Sequence, residues 1–155
     1  MKKLSFFLSI MFLSAAVFAQ AKEVPQNVMA AFSTKYPGVE VKKWKTGTDG
    51  YTAEFSSEKK TCTAVFSNKG EWLRTENKVR WTWNLPPQVN KALKTGKYAA
   101  WYVEKIKFVE TPSGKNYVLR VNNKALLPAQ EINVFRETRL LYYNEDGDLL
   151  SSDKI

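Results

Sequence analysis

Apolar residues recur at helical spacing in two short segments of the chain. The first segment carries them at Val28, Ala31, Phe32 and Tyr36, and the second at Val89, Ala92 and Leu93. Each segment starts at a proline, Pro25 or Pro86, which suits the first helical position because its missing N–H would have no partner there. The pattern predicts two short amphipathic helices, which Gly38 and Gly96 end, and each needs a surface to pack on.

After each predicted helix the apolar residues alternate with polar ones, as in half-buried strands. The alternating residues are Tyr51, Ala53 and Phe55 in the first half and Tyr117, Leu119 and Val121 in the second. A glycine-containing turn then follows in both halves, at Gly70 and at Gly147. The matching order predicts an α+β tandem repeat of one helix and about four antiparallel strands, with residues 20–84 as the first repeat and 85–155 as the second. Residues 124–136 have no counterpart in the first half and are expected to form a longer loop or a strand extension.

The amino-terminal segment has the pattern of a cleavable signal peptide. Lys2 and Lys3 precede an apolar run from Leu4 to Phe18, which is too short to span a bilayer comfortably and leads to the small residue Ala19. We therefore expect residues 1–19 to be removed and the mature protein to be periplasmic or secreted, without stable membrane insertion. No cysteine follows the run directly, which excludes the usual bacterial lipoprotein anchor.

Charge narrows the choice of partner. The chain carries a net charge of +9, which becomes +7 once Lys2 and Lys3 leave with the signal peptide. A basic surface often binds nucleic acid, but export argues against that partner, and acidic proteins, acidic peptides or anionic envelope polymers remain. The alternative is a solvated basic surface that serves solubility alone.

Residue types that carry most catalysis are missing or badly placed. The chain has no histidine, so it lacks the commonest general base and metal ligand, and no zinc-ligand spacing occurs. Its one cysteine, Cys62, shares a strand side with Ala64 and Phe66, which predicts a small buried hydrophobic residue rather than a nucleophile. We therefore expect a non-enzymatic protein without a cofactor or a metal site.

An ordered set of motifs resembles a known family. The set comprises Val24-Pro25, Val28, Phe32, Tyr36-Pro37, Trp44, Tyr51–Phe55, Phe66, Gly70–Glu76 and Leu85-Pro86. Over nearly all of residues 24–150 the chain is similar to the PepSY-like, β-lactamase-inhibitor-like periplasmic proteins. The resemblance implies that both repeats join in one antiparallel sheet with both helices on one face and an open, concave face on the other. In the inhibitor that lends the family its name, that open face docks on an enzyme.

The candidate binding residues lie along one long extended strand that follows Trp72. Arg74, Lys78 and Arg80 alternate along one side of an extended strand and would form a basic stripe on the open face. Trp81 and Trp83 would then lie on the other side, either in the core under the helices, which we favour, or exposed as binding anchors. The facing of Trp44 and Trp101 is not readable from alternation.

These observations favour a non-enzymatic exported binding module, an inhibitor or accessory protein for a protein or peptide partner. The alternative is a periplasmic protein that binds a small molecule or a glycan on tryptophan platforms. A third interpretation is a purely structural role in the envelope. A deep apolar pocket would favour the small ligand, whereas a broad shallow face would favour the protein partner.

Signal-peptide cleavage gives the first prediction. We expect the mature protein to begin at Gln20, or in a second register at Lys22, because Ala19 and Ala21 each provide the small residue that the peptidase recognises. The intact mass of the exported protein checks this expectation. A membrane-bound product that retains residues 1–19 would contradict it.

Overall fold

The computed structural model describes residues 23–48, 50–124 and 137–155. The predicted signal peptide lies outside the described residues, as do residues 125–136, most of the stretch without a counterpart in the first half. Two helices occur in the described ranges, α1 (Gln26–Lys35) and α2 (Pro87–Thr95). The strands of these ranges are β1 (Val41–Gly47), β2 (Gly50–Ser57), β3 (Lys60–Phe66), β4 (Trp72–Val79), β5 (Tyr102–Thr111), β6 (Gly114–Asn122), β7 (Thr138–Asn144) and β8 (Leu149–Lys154).

Both helices lie where the sequence predicts, although Pro25 and Pro86 are the caps that precede them rather than their first helical residues. The carbonyl of Pro25 accepts a hydrogen bond from the N–H of Met29 at 3.1 Å, and α1 ends as the N–H of Tyr36 donates to the carbonyl of Phe32. α2 starts directly after Pro86, and its last turn closes with the N–H of Gly96 donating to the carbonyl of Ala92 at 2.9 Å. With about three turns each, neither helix would be stable alone in water, so the sheet must supply the stabilising contacts.

The strands form one antiparallel sheet in which spatial order follows chain order from β1 to β8. Hairpins join most neighbours, while α2 lies in the connection between β4 and β5. β4 and β5 pair directly, with Lys78 opposite Lys107 and Val79 opposite Ile106. This pairing makes the sheet continuous from the first half to the second, and the α+β class is confirmed.

Both helices cover the same face of the sheet. Val28 and Phe32 of α1 pack on buried residues of β2 and β3, whereas Val89 and Leu93 of α2 pack on buried residues of β5, β6 and β7. The register connects the two clusters on one face, through Cys62, Asn77, Phe108, Tyr117 and Tyr143 on β3 to β7. The predicted one-sided arrangement is thereby confirmed.

Cys62 is a core residue, as its alternation with Ala64 and Phe66 predicts. Its side chain is buried in the cluster under α1, and this burial raises the pKa of the thiol. A neutral thiol in an apolar site is a poor nucleophile.

The two halves share a contact between a turn glycine and a helix. Gly70 has a φ of +85° and Gly147 a φ of +90°. A Cβ at either position would lie 3.0 Å or less from a backbone oxygen, of Asn27 in α1 or of Gln88 in α2. Only glycine satisfies both requirements at these turns. The recurrence agrees with the tandem-repeat interpretation, which stays a prediction.

Truncating the helix contacts should destabilise both halves. We expect Phe32→Ala to cost about 3–5 kcal/mol and Leu93→Ala about 2–5 kcal/mol in the free energy of unfolding, because both side chains are buried. Met29→Ala on the exposed side of α1 is the control and should cost less than about 0.5 kcal/mol. Denaturant melts measure all three. Losses as small as the control's would show that the helices are peripheral.

Candidate functional site

The sheet face opposite α1 and α2, here called the open face, carries the candidate site. No helix of the described ranges packs on it. By register its central residues are Arg74, Glu76 and Lys78 on β4, Lys105, Lys107 and Val109 on β5, Val118 and Arg120 on β6, and Leu140 and Tyr142 on β7. These strands place basic side chains on the β4–β5 side and apolar ones towards β7.

Two pairs of like charges lie directly opposite each other across neighbouring strands. Lys78 of β4 is paired with Lys107 of β5, and Lys105 of β5 is paired with Arg120 of β6. Directly opposed like charges destabilise a sheet by a few tenths of a kcal/mol to about 1 kcal/mol. The fold therefore concentrates positive charge here at some cost in stability.

Carboxylates neutralise part of this charge. Glu76 accepts hydrogen bonds from Lys107 and, at 2.7 Å, from Nε of Arg74. Glu104 forms an ion pair with Nε of Arg120, also at 2.7 Å. Lys78 and Lys105 have no carboxylate partner among the described residues, so they remain available to an outside anion.

The environment of Glu76 favours its charged form. Burial by itself would raise the pKa of this carboxyl, but the hydrogen bonds and charges of Lys107 and Arg74 outweigh burial and lower the pKa. Because the group is held as a carboxylate, it ties Lys107 and Arg74 into one network. That network orients two of the cations on the open face.

A cleft of about 450 Å³ lies between the basic and the apolar residues of the open face. Lys105, Lys107 and Arg120 line one part of it, and Val118, Leu140 and Tyr142 line another. These three apolar side chains are only half-buried, because none of the described elements covers them. The cleft can therefore contact a charged group and an apolar group at once.

The predicted basic stripe is only partly correct. Arg74 and Lys78 do lie on the open face, but β4 ends at Val79, so Arg80 falls beyond the strand. The guanidinium of Arg80 instead lies over the ring of Trp81, 5.4 Å from its centroid. Lys107, the cross-strand partner of Lys78, and Lys105 beside it were not predicted from the sequence, although they alternate with the core residue Ile106 as open-face residues should.

The favoured core position of Trp81 and Trp83 is wrong. Their side chains are 46% and 68% exposed, and their rings stack on each other with centroids 4.9 Å apart. The reason is that the chain leaves the sheet after Val79 and forms a short 3-10 turn, Thr82–Asn84, on its way to the buried Leu85. Strand alternation does not apply across such a turn. The alternative of exposed tryptophans is the correct one.

Trp44 and Trp101 have clear positions. Trp44 packs against the cluster under α1, in edge contact with Phe32, and Trp101 packs against the cluster under α2, in edge contact with Tyr98. Both are therefore structural and lie away from the open face.

A second groove, of about 580 Å³, lies beside the end of β4. It is lined by Lys78 and Arg80 together with Asn77, Phe108 and Tyr117. Because Asn77, Phe108 and Tyr117 belong to the helix-covered face, this groove marks the gap between the two core clusters. Lys78 lies near the end of β4, on the open face by register, and also lines this groove.

Two further features of the described ranges bear on the chemistry. No group of three or more His, Cys, Asp or Glu side chains there is placed to hold a metal ion. None of the helices there is both long enough and apolar enough to cross a membrane.

Comparison with known proteins identifies similar sequences and folds. A family model described as "Putative beta-lactamase-inhibitor-like, PepSY-like" matches residues 15–60 and 49–150. A crystal structure of a DUF2874 family protein from Bacteroides ovatus is 27% identical, with a TM-score of 0.71 over 85% of this chain and 88% of that one. No curated protein matches the sequence.

Two other crystal structures share the fold at lower identity. A BLIP-like protein from Bacteroides fragilis is 24% identical, with a TM-score of 0.72 over 86% of this chain and 87% of that one. A protein from Bacteroides eggerthii, described as one of the "putative periplasmic proteins", is 16% identical, with a TM-score of 0.68 over 86% of this chain and 90% of that one. At these identities the likeness shows the fold alone.

The lowered pKa of Glu76 predicts how acid acts on the sheet. A carboxyl whose pKa is lower in the folded than in the unfolded state stabilises the fold above its ordinary value of 4.5, and that contribution is lost as the pH falls through the folded-state pKa. We expect Glu76→Gln to lower the free energy of unfolding by about 1 kcal/mol at neutral pH, and to leave it unchanged at a pH below the folded-state pKa of Glu76. Urea melts across this range measure the difference, and an offset that does not change with pH would contradict the assignment.

Proposed function

Because this chain belongs to the PepSY-like, β-lactamase-inhibitor-like family, we propose that it is an exported binding module whose open face holds an acidic protein or peptide partner. The family is inhibitor-like, which favours a role without catalysis. The function is then inhibition or assistance of the partner by occupation of one of its surfaces. The site of action is the periplasm or the exterior, a proposal that the predicted signal peptide and the description of the Bacteroides eggerthii protein support.

The two opposed like-charge pairs on the open face carry this proposal. Lys78 with Lys107, and Lys105 with Arg120, cost stability in the free protein, and two carboxylates neutralise them only in part. A partner that brings carboxylates to this face relieves the repulsion and gains charge-assisted hydrogen bonds. The same field accelerates encounter with an acidic surface.

Trp81 and Trp83 provide a second contact for the partner beside the end of β4. Their stacked rings are exposed, and two backbone hydrogen bonds fix the 3-10 turn, from the N–H of Asn84 to the carbonyl of Trp81 and from the N–H of Leu85 to the carbonyl of Thr82. Large aromatic side chains held in one conformation lose little entropy on binding, which is why such residues dominate many interfaces. Arg80 adds a positive charge to this contact.

Reversing the charge of two unpaired lysines tests the proposal. We expect Lys78→Glu with Lys105→Glu to slow association with the natural partner about tenfold or more, because electrostatic steering is lost. The melting temperature should stay the same or rise, since each glutamate faces a cation, Lys107 or Arg120, in place of a like charge. The partner is first captured from a periplasmic extract, and association is then measured at several salt concentrations.

The matched control is Lys91→Glu with Lys94→Glu, which makes the same change in net charge on exposed positions of α2. This variant should associate nearly as fast as the unchanged protein. Equal slowing by both variants would show that net charge matters and the open face does not. No slowing by either would refute the electrostatic proposal.

A further inference from the structure

The open-face cleft separates charge from apolar surface along the strand order. Its charged part includes Lys105 and Lys107 of β5 and Arg120 of β6, whereas Val118 of β6 and Leu140 and Tyr142 of β7 form a continuous apolar part. The remaining lining residues are Arg74, Glu76, Val109 and Ile155. Two strand spacings separate β5 from β7, a distance of about 9.6 Å. A ligand that lies across the strands would meet the cations at one end and the apolar residues at the other.

Lys105 is the lining cation that lacks a carboxylate partner among the described residues. Glu76 already contacts Lys107, and Glu104 already contacts Arg120, but Lys105 has no carboxylate partner in the described part of the chain. Lys105 also lies directly opposite Arg120. An anion between these two side chains would replace their repulsion with two charge-assisted hydrogen bonds.

The apolar end has a size and composition suited to a hydrocarbon group. The cleft is open to solvent and has a volume of about 450 Å³, which is within the range of small-molecule sites, and its residues Val118, Leu140 and Tyr142 are half-exposed in the free protein. Covering them with an apolar body removes that surface from water, which is favourable. Neither an inorganic anion nor a neutral hydrocarbon would use both ends of the cleft.

We propose that the open-face cleft binds a small amphiphilic carboxylate, with its acid group at Lys105 and Arg120 and its apolar body over Val118, Leu140 and Tyr142. This goes beyond docking of a protein partner, because the ligand binds the isolated protein. The proposal and the protein-binding function can therefore fail separately.

Titration of the purified protein with octanoate, followed by NMR, tests the proposal. The largest chemical-shift changes are expected at the methyl groups of Val118 and Leu140 and at the side chain of Lys105. Acetate carries only the acid group and octanol only the apolar body, so each should bind at least about tenfold more weakly than octanoate. Octanol that binds as tightly as octanoate, or shifts scattered over the whole surface, would overturn the proposal.

Charge-reversal variants locate the acid group. Lys105→Glu should weaken octanoate binding about tenfold or more, because it places a carboxylate where the ligand's own must lie. Lys43→Glu is the matched control, since Lys43 is exposed on β1 of the same open face and has no salt bridge among the described residues. Leu140→Asn should weaken octanoate binding but leave the weak acetate binding unchanged. Equal octanoate affinities for the Lys105 and Lys43 variants would refute the assignment of the site.

Discussion

The structure depends on the packing of each short helix onto its own part of a shared sheet. α1 packs Val28 and Phe32 onto β2 and β3, and α2 packs Val89 and Leu93 onto the strands of the second half. Neither helix is long enough to persist in water, and an uncovered sheet would expose its apolar side. The two elements therefore stabilise each other. Because both helices lie on one face, the other face is not covered by any helix of the described residues.

The positions of the charged side chains on that open face are set by the pairing of β4 with β5, which joins the two halves. The register of this pairing sets Lys78 against Lys107, and the next hairpin sets Lys105 against Arg120. A shift by one residue would send these side chains to the core face, which the buried Ile106 does not allow. The charge cluster is thus fixed by the same register that builds the core beneath α2.

The same turn and helix contacts recur in both halves. Gly70 packs on α1 and Gly147 on α2, and the hydroxyl of Tyr36 bonds Thr75 as that of Tyr98 bonds Ser152. In each half a tyrosine after the helix thereby reaches the fourth strand of that half. The surfaces differ, since the exposed Trp81–Trp83 pair lies only in the connection between the halves. What differs between the halves is therefore a better guide to function than what they share.

The sequence by itself determined the elements and the buried face, since both follow from local rules. Proline and glycine marked the helix ends at Pro25, Pro86 and Gly96, and two-residue alternation assigned Tyr51 and Leu119 to the core. The sequence also identified the family, and it showed that the chain has no histidine. Arg74 and Lys78 were correctly placed for the same reason, because they lie within the regular part of β4.

Only the tertiary structure decided which residues meet on the open face. Cross-strand partners such as Lys78 and Lys107 are distant in the sequence, and alternation does not reveal register. Arg80, Trp81 and Trp83 were misplaced because the chain must turn away from the sheet to bury Leu85 under α2, and the 3-10 turn that results breaks the alternation. Local pattern thus determines which side of a strand is buried, whereas the pairing of distant strands determines what the exposed side can bind.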